Sequence, residues 1–450
     1  MTQELYIDGM KVDLPPDIIT LQYRSNLFGD IDKITSSNSL TIRLPKTPNN
    51  NKVMNFADLP FSTGITRDWH DAVYCRDGIQ VVRGKVALLS ANREEYEVAL
   101  IWGIVARLSE WLNGDYTLRD IPINFPSRIV ENNIENFSKS VVAYGNMYYN
   151  NGGERYAFPV IKAAMLFDRI LGSEFIGGVD RSLIDVSFVN SLYINIVDDL
   201  VDKVGTATFL IRNYLPEIKQ VDFVKAICHL CGWYFELTPE GVLQLVPATI
   251  VSDRSRAVDW SDKLMSYGNI PDSIEFDYNN HAQRNWMRYK EDKEVAVNAD
   301  GYIEVNDKTL QRENTLFTLS FAPTNGSLIR QYLTTLNDDG EQTTSFVKIE
   351  PRILTYTLDG PLDEDGTPIP SLVFSSDMYF QRLIGNYYGY LSDVMRSPVV
   401  IEARFNLTDF ELMNIDYTRP VYIAQYGGYY AIMEITNQGY DSSVKLIKLP

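Results

Sequence analysis

Histidine and cysteine are both scarce in this chain of 450 residues, with three of each. Cys75, Cys228 and Cys231 cannot staple a chain of this length, which is what a reducing compartment predicts. His70, His229 and His281 lie far apart, so a Ser/His/Asp set or a zinc site would have to be assembled from single residues. Positive charge is also short: 41 Lys and Arg stand against 59 Asp and Glu, a net charge of −18. Such a balance excludes phosphate affinity over the whole surface, because releasing counterions from nucleic acid needs a cationic face. No stretch reaches the roughly 18 apolar residues of a membrane-spanning helix. The opening MTQELYIDGMKVDLPP reads as a hairpin and lacks the basic start and apolar run of a secretory signal. A protein made in the cytoplasm, with no membrane span, is the expectation. Walker A, Gly-x-Ser-x-Gly and phosphate-cradling glycine patterns are missing too, so nothing points to a nucleotide enzyme.

What is present is apolar and aromatic. Hydrophobic residues make up 45% and aromatics 12%, with 28 Tyr, enough apolar surface to offset the entropy of ordering and exclude a largely disordered chain. At about 150 residues per domain the length predicts roughly three units. The first hundred residues read as β structure. Asp8-Gly9 is a hairpin turn between LYI and MKV. Ile19, Leu21 and Tyr23, then Leu40, Ile42 and Leu44, alternate with polar residues as half-buried strands do. Pro45 to Thr66, with three prolines and successive asparagines, reads as a projecting loop. Strands resume at Ile79–Val82, Lys85–Leu89 and Tyr96–Ile101, with turns at Arg83-Gly84 and Ala91-Asn92-Arg93.

Helices follow. Ile101, Ile104, Val105, Leu108, Trp111 and Leu112 recur at three-and-four spacing, with Gly114 as the C-terminal cap. FPVIKAAMLFDRILG runs from Pro159 to Gly172 with the asymmetry of a helix. In VDFVKAICHLCGWYFELTPEGVLQLV a helix carrying Phe223, Ile227 and Leu230 leads into two strands joined at Thr238 to Gly241. SIEFDY, TLFTLSF and SFVKIEPRILTYTL alternate as strands within the acidic stretch from Asp253 to about Pro370. VVIEARFNL, RPVYIAQYGGYYAIMEITNQ and VKLIKL, with a turn at Gly427-Gly428, close the chain as antiparallel strands.

Candidate chemistry is thin. Cys228, His229 and Cys231 match a Cys-x-x-Cys with an adjacent histidine, a pattern that binds zinc or carries dithiol chemistry. No second ligand pair accompanies them, and they fall on the apolar stripe of a helix, so small buried cysteines explain them better. Asp198, Asp199 and Asp202, Glu94 and Glu95, and Asp338 and Asp339 are paired carboxylates of the kind a glycosidase uses across a cleft, yet they read as solvated faces and turns. Asn337 to Gly340 and Asp363 to Gly366 lack the twelfth-position Glu of a calcium loop. No catalytic, cofactor-binding or metal residue is expected, and no cofactor. The remaining candidates are tyrosines: Tyr144, Tyr148, Tyr149 and Tyr156 in one segment, Tyr422, Tyr426, Tyr429 and Tyr430 in another. Of these, Tyr148, Tyr149, Tyr426, Tyr429 and Tyr430 are the candidate interface aromatics.

Several segments together resemble a known family. LYIDGMKVDLP, ITLQYRSNLFGDID and SNSLTIRLPKTPNN are similar to the N-terminal barrel of tail proteins from phages and prophages of Bacteroides-like bacteria. VKAICHLCGWYFELTPEGVLQLVP resembles a helix and hairpin module of baseplate hub proteins, and IEARFNLTDFELMNIDYTRPVYIAQYGGYYAIMEI resembles the second hub barrel. The resemblance implies a mainly β, multidomain chain with two tail-tube-like β-barrels and accessory α+β domains. The expected division is an N-terminal barrel at 1–115, an arm and helix at 116–180, a helix and hairpin module at 181–252, an acidic β region at 253–370 and the last strands of the second barrel at 371–450. It further implies a structural, non-enzymatic hub at the virion tail tip. That hub is a homotrimer adapting a six-fold tail tube to a three-fold tip, and its partners are the tail tube or distal tail protein, the tape-measure protein and tip or spike proteins. Three copies at −18 would carry −54, and an acidic wall would let DNA pass without specific binding. A carbohydrate-binding surface adhesin and a tail-associated polysaccharide or peptidoglycan hydrolase are the alternatives.

Overall fold

The computed structural model describes residues 1–35, 37–60, 68–123, 126–127, 130–131, 142–148, 155–173, 176–195, 209–265, 270–276, 278, 281–292, 297–324, 332–336, 342–346, 350–357 and 371–450. The chain is mainly β with short helices, as the alternation predicts. Asp8 and Gly9 take positive φ (48° and 76°) and join Gln3–Ile7 to Met10–Val12. A second pair, Asp77 and Gly78 (45° and 80°), turns His70–Arg76 into Ile79–Ala91. Both are tight turns of the type that matches strand twist.

These strands belong to one sheet that unites the two ends of the chain. Gly428–Gln438 pairs on one side with the C-terminal strand Asp441–Lys448 and on the other with Leu21–Arg24, so that Glu434 faces Arg24 and Ile435 faces Tyr23. The order then runs through Ser37–Ser39, Glu95–Trp102, Ile79–Ala91, His70–Arg76 and Gln3–Ile7 to Met10–Val12, while beyond the C-terminal strand it runs through Val400–Asn406 to Ser273–Glu275. Among the described residues this path is open at both ends. Segments expected in two barrels therefore hydrogen-bond to each other. They also share one core, in which Leu5, Tyr74, Val98, Phe405, Ile435 and Val444 are all buried.

At its centre lies Arg76, fully buried. It donates to the Tyr74 hydroxyl (3.1 Å), Asn437 Oδ1 (2.5 Å), Asp409 Oδ1 (3.0 Å) and the Ile19 carbonyl (3.3 Å), binding first strands to last. A buried charge is tolerated only when its donors are matched in this way.

Two local readings are corrected. Arg83-Gly84 is no turn: Ile79–Ala91 is a single strand of 13 residues. Gly84 is needed because a Cβ there would stand 2.0 Å from the Ile101 carbonyl oxygen of the neighbouring strand. Nor do Pro48 to Val53 project. They form a short helix with Thr47 as N-cap and Pro48 in the first turn. Its asparagines serve the edge of the sheet: Asn49 donates to the Lys11 carbonyl, and buried Asn50 donates to the Asp13 and Pro45 carbonyls while accepting from the Asp13 N–H. Side-chain amides thus occupy backbone groups that an edge strand would otherwise leave open.

A second core surrounds the helices. Ile104–Asn113, Ala163–Leu171 and Gln220–Cys231 form where the apolar spacing predicts, though Pro159 lies in the preceding strand Arg155–Lys162. Gln220–Cys231 ends at Gly232 in the left-handed region (φ 64°), where a Cβ would crowd the Tyr387 carbonyl at 2.9 Å. The hairpin Trp233–Leu237 and Leu243–Pro247 follows, turning at Gly241 with positive φ. Arg284–Arg288 pairs with Gly301–Glu304 antiparallel and Glu313–Thr318 parallel, beside the same core. The chain crosses from one core to the other at residues 24–27: Tyr23 belongs to the first and Leu27 to the second.

Candidate functional site

The crossing is held by one carboxylate. In Trp233–Leu237 four successive residues are buried, Glu236 among them at 2% exposure. Its cross-strand partner Gln244 is buried as well. Glu236 Oε1 accepts from the Ser25 hydroxyl (2.7 Å) and from the backbone N–H groups of Asn26 (2.6 Å) and Leu27 (2.9 Å). Burial moves its carboxyl up from its ordinary 4.5 to about 7, against the downward pull of those donors, and the nearby Asp416 adds to the rise. No Lys, Arg or His lies within 4.0 Å of it among the described residues.

Glu236 lines a cleft of about 490 Å³ between the two cores, together with Tyr23, Trp102, Leu412, Ile415 and Tyr417. Tyr23 packs edge-on against Trp102 with centroids 5.3 Å apart, and its buried hydroxyl finds no hydrogen-bond partner among the described residues. Burial also raises the Tyr417 phenol, beside Glu236 and Ser37. Cavities of this size between packed units suit small ligands or inserted side chains. Sequence reasoning passed over Glu236, whose one signal was an acid inside the otherwise apolar run WYFEL.

The tyrosines singled out from sequence separate. Tyr430 is a core residue at 3% exposure, opposite Val421. Tyr426 and Tyr429 are half-buried. Tyr429 pairs with Tyr422 across the strands (5.1 Å between centroids) and carries the Arg254 guanidinium over its ring at 5.0 Å. Tyr148 ends the strand Val142–Tyr148; its side chain and all of Tyr149 lie outside the described residues.

Cys228 and Cys231 are buried and free, and burial pushes both thiols up, away from nucleophilic chemistry. Between them His229 is buried, with Nε2 at 3.0 Å from the Ile31 carbonyl and its ring stacked on Phe317 at 4.0 Å. Desolvation lowers its pKa to about 4. No group of three or more metal-ligating side chains occurs among the described residues. Of the paired acids, Glu94 is exposed and Glu95 stands 3.7 Å from Arg43, while Asp198, Asp199, Asp202, Asp338 and Asp339 lie outside the described residues, as do Asn337 to Gly340 and Asp363 to Gly366.

No family model and no curated protein matches the chain. Among solved structures, the chain is similar to the 43 kDa tail protein of prophage MuSo2 from Shewanella oneidensis at 10% identity and a TM-score of 0.39, covering 100% of this chain and 98% of that one. It is also similar to the tail protein from Neisseria meningitidis MC58 at 9% identity and a TM-score of 0.41, covering 99% and 95%.

Proposed function

We propose that this chain is a structural component of a phage or prophage tail, the hub at its tip. In this reading it acts as a homotrimer between the six-fold tube and the three-fold tip and lines the DNA exit channel. The observation that supports the reading is that the N-terminal and C-terminal segments carrying the family resemblance lie side by side. Gln3–Ile7, Leu21–Arg24 and Ile42–Pro45 share one sheet and one core with Val400–Asn406 and Gly428–Gln438. A frame built from both chain ends gives a rigid platform, and the accessory core is left to face other partners. The net charge of −18 suits a channel wall that repels DNA.

Electron microscopy of isolated tails labelled with antibody against this chain tests the proposal. Label at the tail tip and a three-fold ring with an acidic lumen are expected; label elsewhere, or a ring with a basic lumen, refutes it. Recombinant protein alone can stay monomeric if the interface completes only on the growing tail. Zones of lysis in a peptidoglycan or polysaccharide gel, or binding on a glycan array, would favour the hydrolase or adhesin readings.

A further inference from the structure

The cleft between the two cores holds a buried carboxylate that makes no ion pair with a described residue. All three hydrogen bonds to Glu236 converge on Oε1. Buried carboxylates ordinarily sit beside a cation, since an unpaired charge out of water is costly. Besides Glu236 the cleft is lined by Glu240, Arg24 and Arg83, and Asp416 and Glu434 lie close by on the C-terminal elements, Asp416 with Arg256 at 3.9 Å. Arg24 is engaged elsewhere, with Nε on Glu434 (3.1 Å) and Nη2 on Gln22 (3.3 Å). Arg83 is exposed and makes no ion pair with a described acid. Asn26, Ser37, Gln80 and Thr238 join the phenols of Tyr23 and Tyr417 in the uncharged polar lining, and the Tyr23 hydroxyl has no hydrogen-bond partner among the described residues.

Part of the wall is apolar. Leu237, Leu412 and Ile415 line the cleft, and Met413, at its edge, is 40% exposed. Ile79, Val242 and Phe410, each one or two residues along the chain from lining residues, are 55%, 47% and 74% exposed. Apolar side chains beside a buried carboxylate help to desolvate a contact with a partner's charged side chain.

We propose that this cleft receives a basic side chain, lysine or arginine, presented by a protein partner, with Glu236 as its counter-ion. The methylene stem lies along Leu237, Leu412 and Ile415, as long basic side chains do on apolar surfaces, and the charged head reaches the carboxylate. The proposal stands apart from the tail reading, because it rests on the cleft alone.

Calorimetric titration of the full chain with butylammonium and butylguanidinium, at pH 6 and pH 8.5, tests it. Since Glu236 titrates near 7, binding should be about tenfold weaker at pH 6, where roughly a tenth of the carboxyl is ionised. Glu236→Gln should abolish binding while the far-ultraviolet circular dichroism and thermal midpoint show the fold retained. Ile415→Trp, which fills the cleft and leaves the carboxylate in the chain, should also abolish it. Equal binding by either variant, no saturable binding of either cation, affinity independent of pH, or preference for a neutral sugar such as glucose overturns the proposal.

Discussion

Replacing Glu236 by Gln should make the junction between the two cores insensitive to pH. In the folded chain the carboxyl titrates near 7, against an ordinary 4.5. The stability it contributes is therefore fully present below about 4.5 and is lost as the pH rises through 7. At pH 8 the difference amounts to about 3 kcal/mol, from 1.36 kcal/mol per pKa unit. A neutral amide keeps an oxygen for the three donors of Ser25, Asn26 and Leu27 and has no charge to desolvate. Hydrogen exchange at the Asn26 and Leu27 amides reads the effect locally, which suits a chain with two cores better than one global transition. At pH 8 the variant should protect these amides more than the parent, by up to about a hundredfold. At pH 4, below the ordinary carboxyl value, the two should agree. A difference that is the same at both pH values, or parent amides better protected at pH 8, would refute the assignment of a neutral Glu236.

Other expectations follow from single contacts. Arg76→Ala takes the donor from buried Asn437 and part-buried Asp409 and should cost about 3 kcal/mol in denaturant unfolding, whereas a surface change such as Arg93→Ala should do almost nothing. Gly84→Ala drives a Cβ into the Ile101 carbonyl and should cost about 1–3 kcal/mol or block folding, visible as a lowered thermal midpoint. His229, held near 4, binds its proton more readily unfolded, so its contribution falls away as pH drops from 6.5 toward 4. His229→Gln should flatten the acid limb of stability in that range. A thiol reagent should modify at most Cys75 in the native chain, with Cys228 and Cys231 reacting only after denaturation.

Much of the local structure was legible because it obeys short-range rules. Apolar spacing located Ile104–Asn113 and Gln220–Cys231, and Asp8-Gly9 located the first hairpin, since those turns and stripes depend on neighbours a few residues away. Where a glycine serves a distant strand the same rules misled. Gly84 looked like a turn but makes room for Ile101, and the asparagines after Pro48 looked like a loop but hydrogen-bond to the first hairpin. The candidate tyrosines were read from composition alone, and burial separated Tyr430 in the core from half-buried Tyr426 and Tyr429.

By itself the sequence determined a mainly β chain, too acidic for a general nucleic-acid surface and too poor in histidine and cysteine for a clustered metal or disulfide framework. Only the tertiary structure decided that residues 21–24 pair with residues 434–437, so that the two ends of the chain build one sheet. Pairing across more than four hundred residues leaves no periodic trace in either segment. It decided equally that the glutamate of WYFEL is a buried carboxylate at the crossing between two cores, because burial comes from both sides of that strand at once, and no alternation within five residues can encode it.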